Sequence, residues 1–136
     1  MTEYAAARQW ISGLLAGDSG TTSVVSTRIY RDQAPQGAAL PHVIYAELLP
    51  DDDEVNGIGD TVAANLQYEI YCVGTNETNV LAMADRIQAL FGGTTGTASP
   101  WSLGSWRLKP VEDPPEKFGP NTIYRAGGLY RVLATL

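Results

Sequence analysis

The sequence predicts an α+β fold: an antiparallel β-sheet with two α-helices packed on one face, in the order α-β-β-β-α-β-β. Three observations carry that prediction. Val62, Ala64, Leu66, Tyr68, Ile70 and Cys72 alternate with Asn65, Gln67 and Glu69, the period-two pattern of a strand with one buried and one wetted side. Two other segments place apolar residues at helical spacing. The middle and last pairs of strands read as antiparallel hairpins, and the two amphipathic helices need a sheet face to cover them.

The first helix carries Ala7, Trp10, Ile11 and Leu14 at i, i+3, i+4 and i+7, which puts them on one face. Thr2 is placed to cap it, Glu3 in the first turn suits the helix dipole, and Gly17 is a natural stop. The next stretch, DSGTTS, reads as loop and leads into a short strand, Arg28, Ile29 and Tyr30. A second strand over residues 42–49 puts Ile44, Ala46 and Leu48 on one face. The run PDDDEVNGIGD breaks periodicity and reads as an exposed connection to the alternating third strand.

After Gly74, Thr75 and Asn76 the period becomes helical. Val80, Met83, Ala84, Ile87, Leu90 and Phe91 share a stripe, Asp85, Arg86 and Gln88 turn outward, and Gly92-Gly93 ends the helix. TTGTASP reads as a flexible loop. Trp106, Leu108 and Pro110 alternate with Arg107 and Lys109, which suggests a strand near a sheet edge, where a proline that cannot donate does least harm. VEDPPEKFGP reads as a proline-rich turn before the final strand. There Tyr124, Ala126, Tyr130, Val132, Ala134 and Leu136 stay in phase across Gly127-Gly128, a candidate bulge.

With 136 residues, 44% hydrophobic and 18% charged, the chain has the composition of one globular domain spanning 1–136. No apolar run approaches a membrane span and no signal-peptide pattern opens the chain, so a soluble protein made in a cytoplasm is expected. The net charge is −6, with nine basic residues scattered singly. Specific nucleic-acid binding is therefore not expected, because it draws its affinity from basic groups replacing phosphate counterions.

Candidate chemistry is sparse. The lone Cys72 excludes an internal disulfide, and its apolar strand suits a small buried filler. The acidic run Asp51, Asp52, Asp53, Glu54 fails as an EF-hand, since a loop starting at Asp51 puts Val55 at a ligand position and Asn56 where glycine is required. His42 is the one histidine; it follows Pro41 at a strand start, and no GxSxG elbow accompanies it. Neither Gly57-Ile58-Gly59 nor Gly92-Gly93 fits a phosphate loop. Asp113 and Glu116 flank Pro114 and Pro115 in what reads as a stiff surface turn. Of the aromatic residues, Tyr68 and Trp106 are expected in the core. No catalytic residue, metal ligand or cofactor site is assigned.

What stands out is residues 27–48, TRIYRDQAPQGAALPHVIYAEL, and above all APQGAALP. Pro35, Gly37 and Pro41 stiffen a loop between two strands. With its neighbours it offers no nucleophile, base or metal cluster, which suits docking. TRIY, APQGAALP, the VIY strand and LQYEIYCVG before VLAMADRIQALF together resemble the tail-completion family of long-tailed bacteriophages, which includes tail-terminator and tail-to-head joining proteins. The resemblance spans residues 27–91 most closely, the final strand more loosely, and its most specific part is 27–45. The acidic run and the long proline turn depart from the pattern.

The resemblance implies a virion structural protein, not an enzyme: a homo-oligomeric ring, commonly a hexamer, at the head-proximal end of the tail tube. Such a ring ends tube polymerisation and joins tail to head, so the implied partners are the tail tube protein and the head-completion or connector protein. It would reside in the virion tail or neck, after assembly in the host cytoplasm. On this reading the ring or tail contacts are Tyr30, Gln33, Pro35, Gln36, Gly37, Leu40 and Pro41. Asp51, Asp52, Asp53 and Glu54 would fringe a lumen through which DNA passes without sticking. Two other readings stand beside it: a head-completion adaptor of the neck bound to the connector, and a small enzyme or ligand-binding domain built around His42.

Overall fold

In a computed structural model of the chain the residues described are 1–55 and 61–136, with backbone alone for 49–55 and 61. The elements run α1 (Glu3–Ala16), α2 (Ser19–Val25), β1 (Ile29–Arg31), β2 (His42–Val55), β3 (Thr61–Gly74), α3 (Glu77–Phe91), β4 (Thr94–Ala98), β5 (Trp101–Phe118) and β6 (Asn121–Thr135). Among the described residues these are three helices and one sheet of six strands in the order β1-β2-β3-β6-β5-β4. The expected two-helix order α-β-β-β-α-β-β is thereby corrected, and so is the all-antiparallel sheet: β1 runs parallel to β2, with Ile29 opposite Val43 and Arg31 opposite Tyr45. A three-residue strand carries no sign of its direction; the loop that returns the chain from Arg31 to His42 sets it.

Each departure has a physical cause. The stretch expected as the loop DSGTTS forms most of α2, which has almost no apolar periodicity. It is held at its start by Asp18, whose carboxylate accepts from the Thr21 backbone N–H at 2.9 Å and the Thr21 hydroxyl at 2.8 Å. Arg86 of α3 grips the same carboxylate through Nε at 2.8 Å and through a second guanidinium nitrogen. The Arg86 guanidinium, with help from Thr21, holds the Asp18 carboxyl down to about 2.

The expected flexible loop TTGTASP contains β4, paired with β5 from Thr94↔Ser105 to Ala98↔Trp101. Gly96 faces Trp10 so closely that a Cβ there would lie 2.2 Å from the indole Nε1. The glycine thus makes room for the indole.

The proline turn is also strand. β5 continues to Phe118, absorbing Pro114 and Pro115 at a register shift between Asp113 and Glu116. Beyond Ser105 no strand among the described residues pairs with the outer edge of β5, so prolines that cannot donate leave no ladder bond unmade there. The Gly127-Gly128 pair is no bulge, since the β3–β6 register runs unbroken through Tyr71↔Gly127 and Ile70↔Gly128. Crowding explains the first of these glycines: a Cβ on Gly127 would lie 2.0 Å from the Ile70 carbonyl oxygen. The acidic run, expected as an exposed connection, is strand in its backbone as far as Val55, with Asp52 opposite Asn65 and Glu54 opposite Ala63. Residues 56–60 lie outside the described residues.

The core lies between one sheet face and the helices. The pairs Leu66↔Val132, Tyr68↔Tyr130 and Cys72↔Ala126 put buried side chains on that face. Onto it pack Ala7, Trp10, Ile11 and Leu15 of α1 and Val80, Met83, Ile87 and Phe91 of α3. Leu14, expected on the buried stripe of α1, is half-buried, and Leu15 takes that place, fully buried with Ala6, Ala7 and Ile11. Phe91 meets Trp10 edge-on with ring centroids 6.2 Å apart and Tyr130 at 5.9 Å. Each such large side chain contributes about 1.5–3 kcal/mol by leaving water. Burial pushes the Cys72 thiol up to about 12, so it is an inert filler of the core.

Candidate assembly surfaces

The loop from Asp32 to Pro41 is fixed from within and from both sides. Asp32 takes a left-handed φ of 66° while its N–H donates to the Tyr45 carbonyl at 2.9 Å. Pro35, Gln36, Gly37 and Ala38 form a turn closed by Ala38 N–H to the Pro35 carbonyl at 3.0 Å. Gly37 has φ 78°, the value a type II turn needs at its third position and glycine supplies without steric cost. After a cis Leu40–Pro41 bond, Arg28 Nε donates to the Pro41 carbonyl at 2.8 Å. His42 Nδ1 lies 3.2 Å from the Ala39 carbonyl; a carbonyl only accepts, so Nδ1 carries the proton. Burial keeps the His42 pKa below its ordinary value, with Arg125 and Arg28 adding to the effect against the Ala39 bond. The ring is thus neutral at pH 7, spent on a backbone bond and stacked edge-on against Tyr30 at 5.5 Å.

The structure therefore brings Tyr30, Leu40 and Pro41, all half-buried, to the base of the loop, and leaves Gln33, Pro35, Gln36 and Gly37 exposed at its crest. Asp51, Asp52, Asp53 and Glu54 belong to the far end of β2; where their side chains point falls outside the described residues.

Two further surfaces escaped sequence reasoning. The first is the sheet face away from the helices. It carries Ile44, Ala46 and Leu48 of β2, the apolar trio expected from the pattern, because Ile44 pairs with Tyr71 while Val43 and Tyr45 turn to the core. Trp106, expected in the core, lies on this bare face opposite Arg131 and is 42% exposed. A register shift at Leu108 follows, so the alternation Trp106-Leu108-Pro110 is broken and none of these residues reaches the core. Arg131 Nε is shielded from solvent and, among the described residues, has no hydrogen-bond partner, a costly state for a buried donor.

The second is an arm. β6 last pairs with β3 at Tyr124↔Gly74, but its pairing with β5 continues through Glu116↔Ile123, Lys117↔Thr122 and Phe118↔Asn121. Residues 112–121 are all exposed, and Phe118 at the tip is 59% exposed. Gly119, with φ 61°, starts the two-residue turn as a type II′ hairpin requires. Phe-Gly-Pro-Asn was the available signal, masked by the preceding prolines.

No helix among the described residues is long and apolar enough to cross a membrane. The family described as tail completion protein gp17 matches residues 9–113. That span takes in most of α1, the pinned loop and β5 from Trp101 to Asp113, and stops where the arm begins. No curated protein matches the chain.

Proposed function

The chain belongs to the tail completion protein gp17 family, a family of structural phage proteins, and from that premise we propose that its copies close into a ring at the head-proximal end of the tail tube. The ring ends tube polymerisation by offering one face that matches the tube and another that does not repeat it. That second face receives the head's connector. The observation that carries this reading is the family match, with the pinned loop inside the matched span.

Closure requires a heterologous contact whose rotation returns to its start. A loop already held in one shape by Arg28, His42 and its own turn loses little entropy on docking, which favours Gln33, Pro35, Gln36 and Gly37 as contact residues. Contacts of ordinary size would bury about 800 Å² per partner. In this ring the acids Asp51, Asp52, Asp53 and Glu54 fringe the lumen and keep DNA phosphates from adhering. Replacing all four with serine should slow DNA passage and lower infectivity; unchanged infectivity removes them from the lumen.

Electron microscopy and mass measurement of the pure protein, alone and mixed with tail tube protein, test the ring. Rings seated on tube ends are expected. A protein that stays solitary at every concentration and ignores assembled tails overturns the reading. Recovery on tailless heads rather than on headless tails would assign it instead to the neck as a head-completion adaptor.

A further inference from the structure

We propose that Arg86 positions the pinned loop through α2: latching α2 to α3 keeps the chain bent at Ser26, and that bend delivers Arg28 to the Pro41 carbonyl. The inference rests on the reading of this loop as a docking surface and adds the residue that fixes its base. Arg86 acts here through Asp18, Ser26 and Arg28.

The bonds form an unbroken series. Arg86 of α3 holds the Asp18 carboxylate through Nε at 2.8 Å and through a second guanidinium nitrogen, and Asp18 caps α2. Gly20 lets the guanidinium close in, since a Cβ there would lie 2.8 Å from its Nε. At the far end of α2 the Arg28 N–H donates to the Val25 carbonyl at 2.9 Å, and the Arg28 guanidinium to the Val24 carbonyl at 3.3 Å. The same guanidinium donates through Nε to the Pro41 carbonyl at 2.8 Å, while the Arg28 carbonyl accepts from the Val43 N–H at 3.0 Å. Arg28 therefore ties the last turn of α2 to the end of the loop.

Ser26 is the strained link. Its φ of 54° and ψ of −124° belong to a region that glycine enters freely and an L side chain does not. Such a residue persists only where its surroundings over-determine it. Packing supplies little of this, because the residues α2 buries are Thr21 and Val25. An open cleft of about 500 Å³ lies between α2, α3 and Pro41, lined by Ser23, Val24, Ala82, Met83 and Arg86. The cleft gives α2 room to tilt, and the grip on Asp18 opposes the tilt. Without that grip Ser26 relaxes toward an ordinary φ and Arg28 lets Pro41 go. The Pro35–Ala38 turn and the His42 bond survive, so the crest keeps its shape and swings at its base.

Amide exchange of the full chain, read alongside particle mass, tests this in Arg86→Gln, Ser26→Gly and the double variant. In Arg86→Gln the Arg28 and Val43 amides should exchange about threefold faster, a local opening. Leu66 and Tyr68 should stay unchanged, and rings should form less readily. Arg86→Lys, which keeps the charge but not the two-pronged grip, should show a smaller rise. Adding Ser26→Gly to Arg86→Gln should return both amides and assembly to wild type, because glycine leaves no strain to release. Unchanged Arg28 and Val43 amides, an equal rise at Leu66 and Tyr68, no rescue by glycine, or loosened amides with rings unaffected each overturn the latch and spare the ring. A wild-type protein that forms no rings, with or without tails, while its amides respond as expected, overturns the ring and leaves the latch standing.

Discussion

The two faces of β3 and β6 come from the same residues of chain and differ in what specifies them. On the helix side Leu66, Tyr68, Ile70, Tyr130 and Val132 are fully buried, in one cluster with the apolar residues of α1 and α3. On the bare side Gln67, Glu69, Tyr71, Leu129 and Arg131 are half-buried, on the face away from the helices of the described residues. The first face is a finished core. The second is amphipathic and includes the shielded Nε of Arg131, which has no hydrogen-bond partner among the described residues.

Substitutions should separate the faces by the size of their effect. The largest is expected for Phe91→Ala, which removes the ring held between Trp10 and Tyr130. It should cost about 3–5 kcal/mol, read by urea unfolding of wild type and variant. A loss below about 1 kcal/mol would show the core less tightly fitted than its contacts imply. Gly127→Ala comes next and sharpens the contrast, because Gly127 belongs to the bare side yet has no room. Its Cβ would collide with backbone at 2.0 Å, and about 2–3 kcal/mol is expected.

A smaller effect depends on pH. His42 has a folded pKa below its ordinary value, so the unfolded chain binds more protons below about 6.5. The stability that neutral His42 contributes is present above that pH and is lost as pH falls through it. Melting temperature should drop between pH 7.5 and 5.5, and His42→Gln should flatten the drop. An equal slope in both proteins would remove His42 as its source. The smallest change in stability is expected for Trp106→Ser on the bare side, within about 0.5 kcal/mol. A clear loss of stability there would mean that this face is part of the folded core after all.

The legible parts of this fold were those whose period is written in large side chains. β3 and α3 announce themselves because alternation and the i, i+3, i+4 stripe use Leu, Tyr, Ile, Met and Phe. α2 could not be read, since SGTTSVV has no stripe and its anchor Arg86 lies 68 positions from Asp18. β4 is built of threonine, glycine and alanine, and its one telling feature, Gly96 under Trp10, is a contact between distant segments. The prolines of β5 read as a turn because edge position depends on a neighbour being absent. The loop showed a similar division. Pro35, Gly37 and Pro41 announced its stiffness, whereas the bonds from Arg28 and His42 that pin it appear only in three dimensions.

The parallel pairing of β1 has one more consequence, for how the molecule breathes. β1 offers three half-buried or exposed residues at the margin of the sheet, while β3 is flanked on both sides along most of its length. Local opening follows such differences. Amide exchange should begin at Ile29 and Tyr30 and reach Leu66 and Tyr68 last, so the strand that launches the pinned loop is also the first to let go.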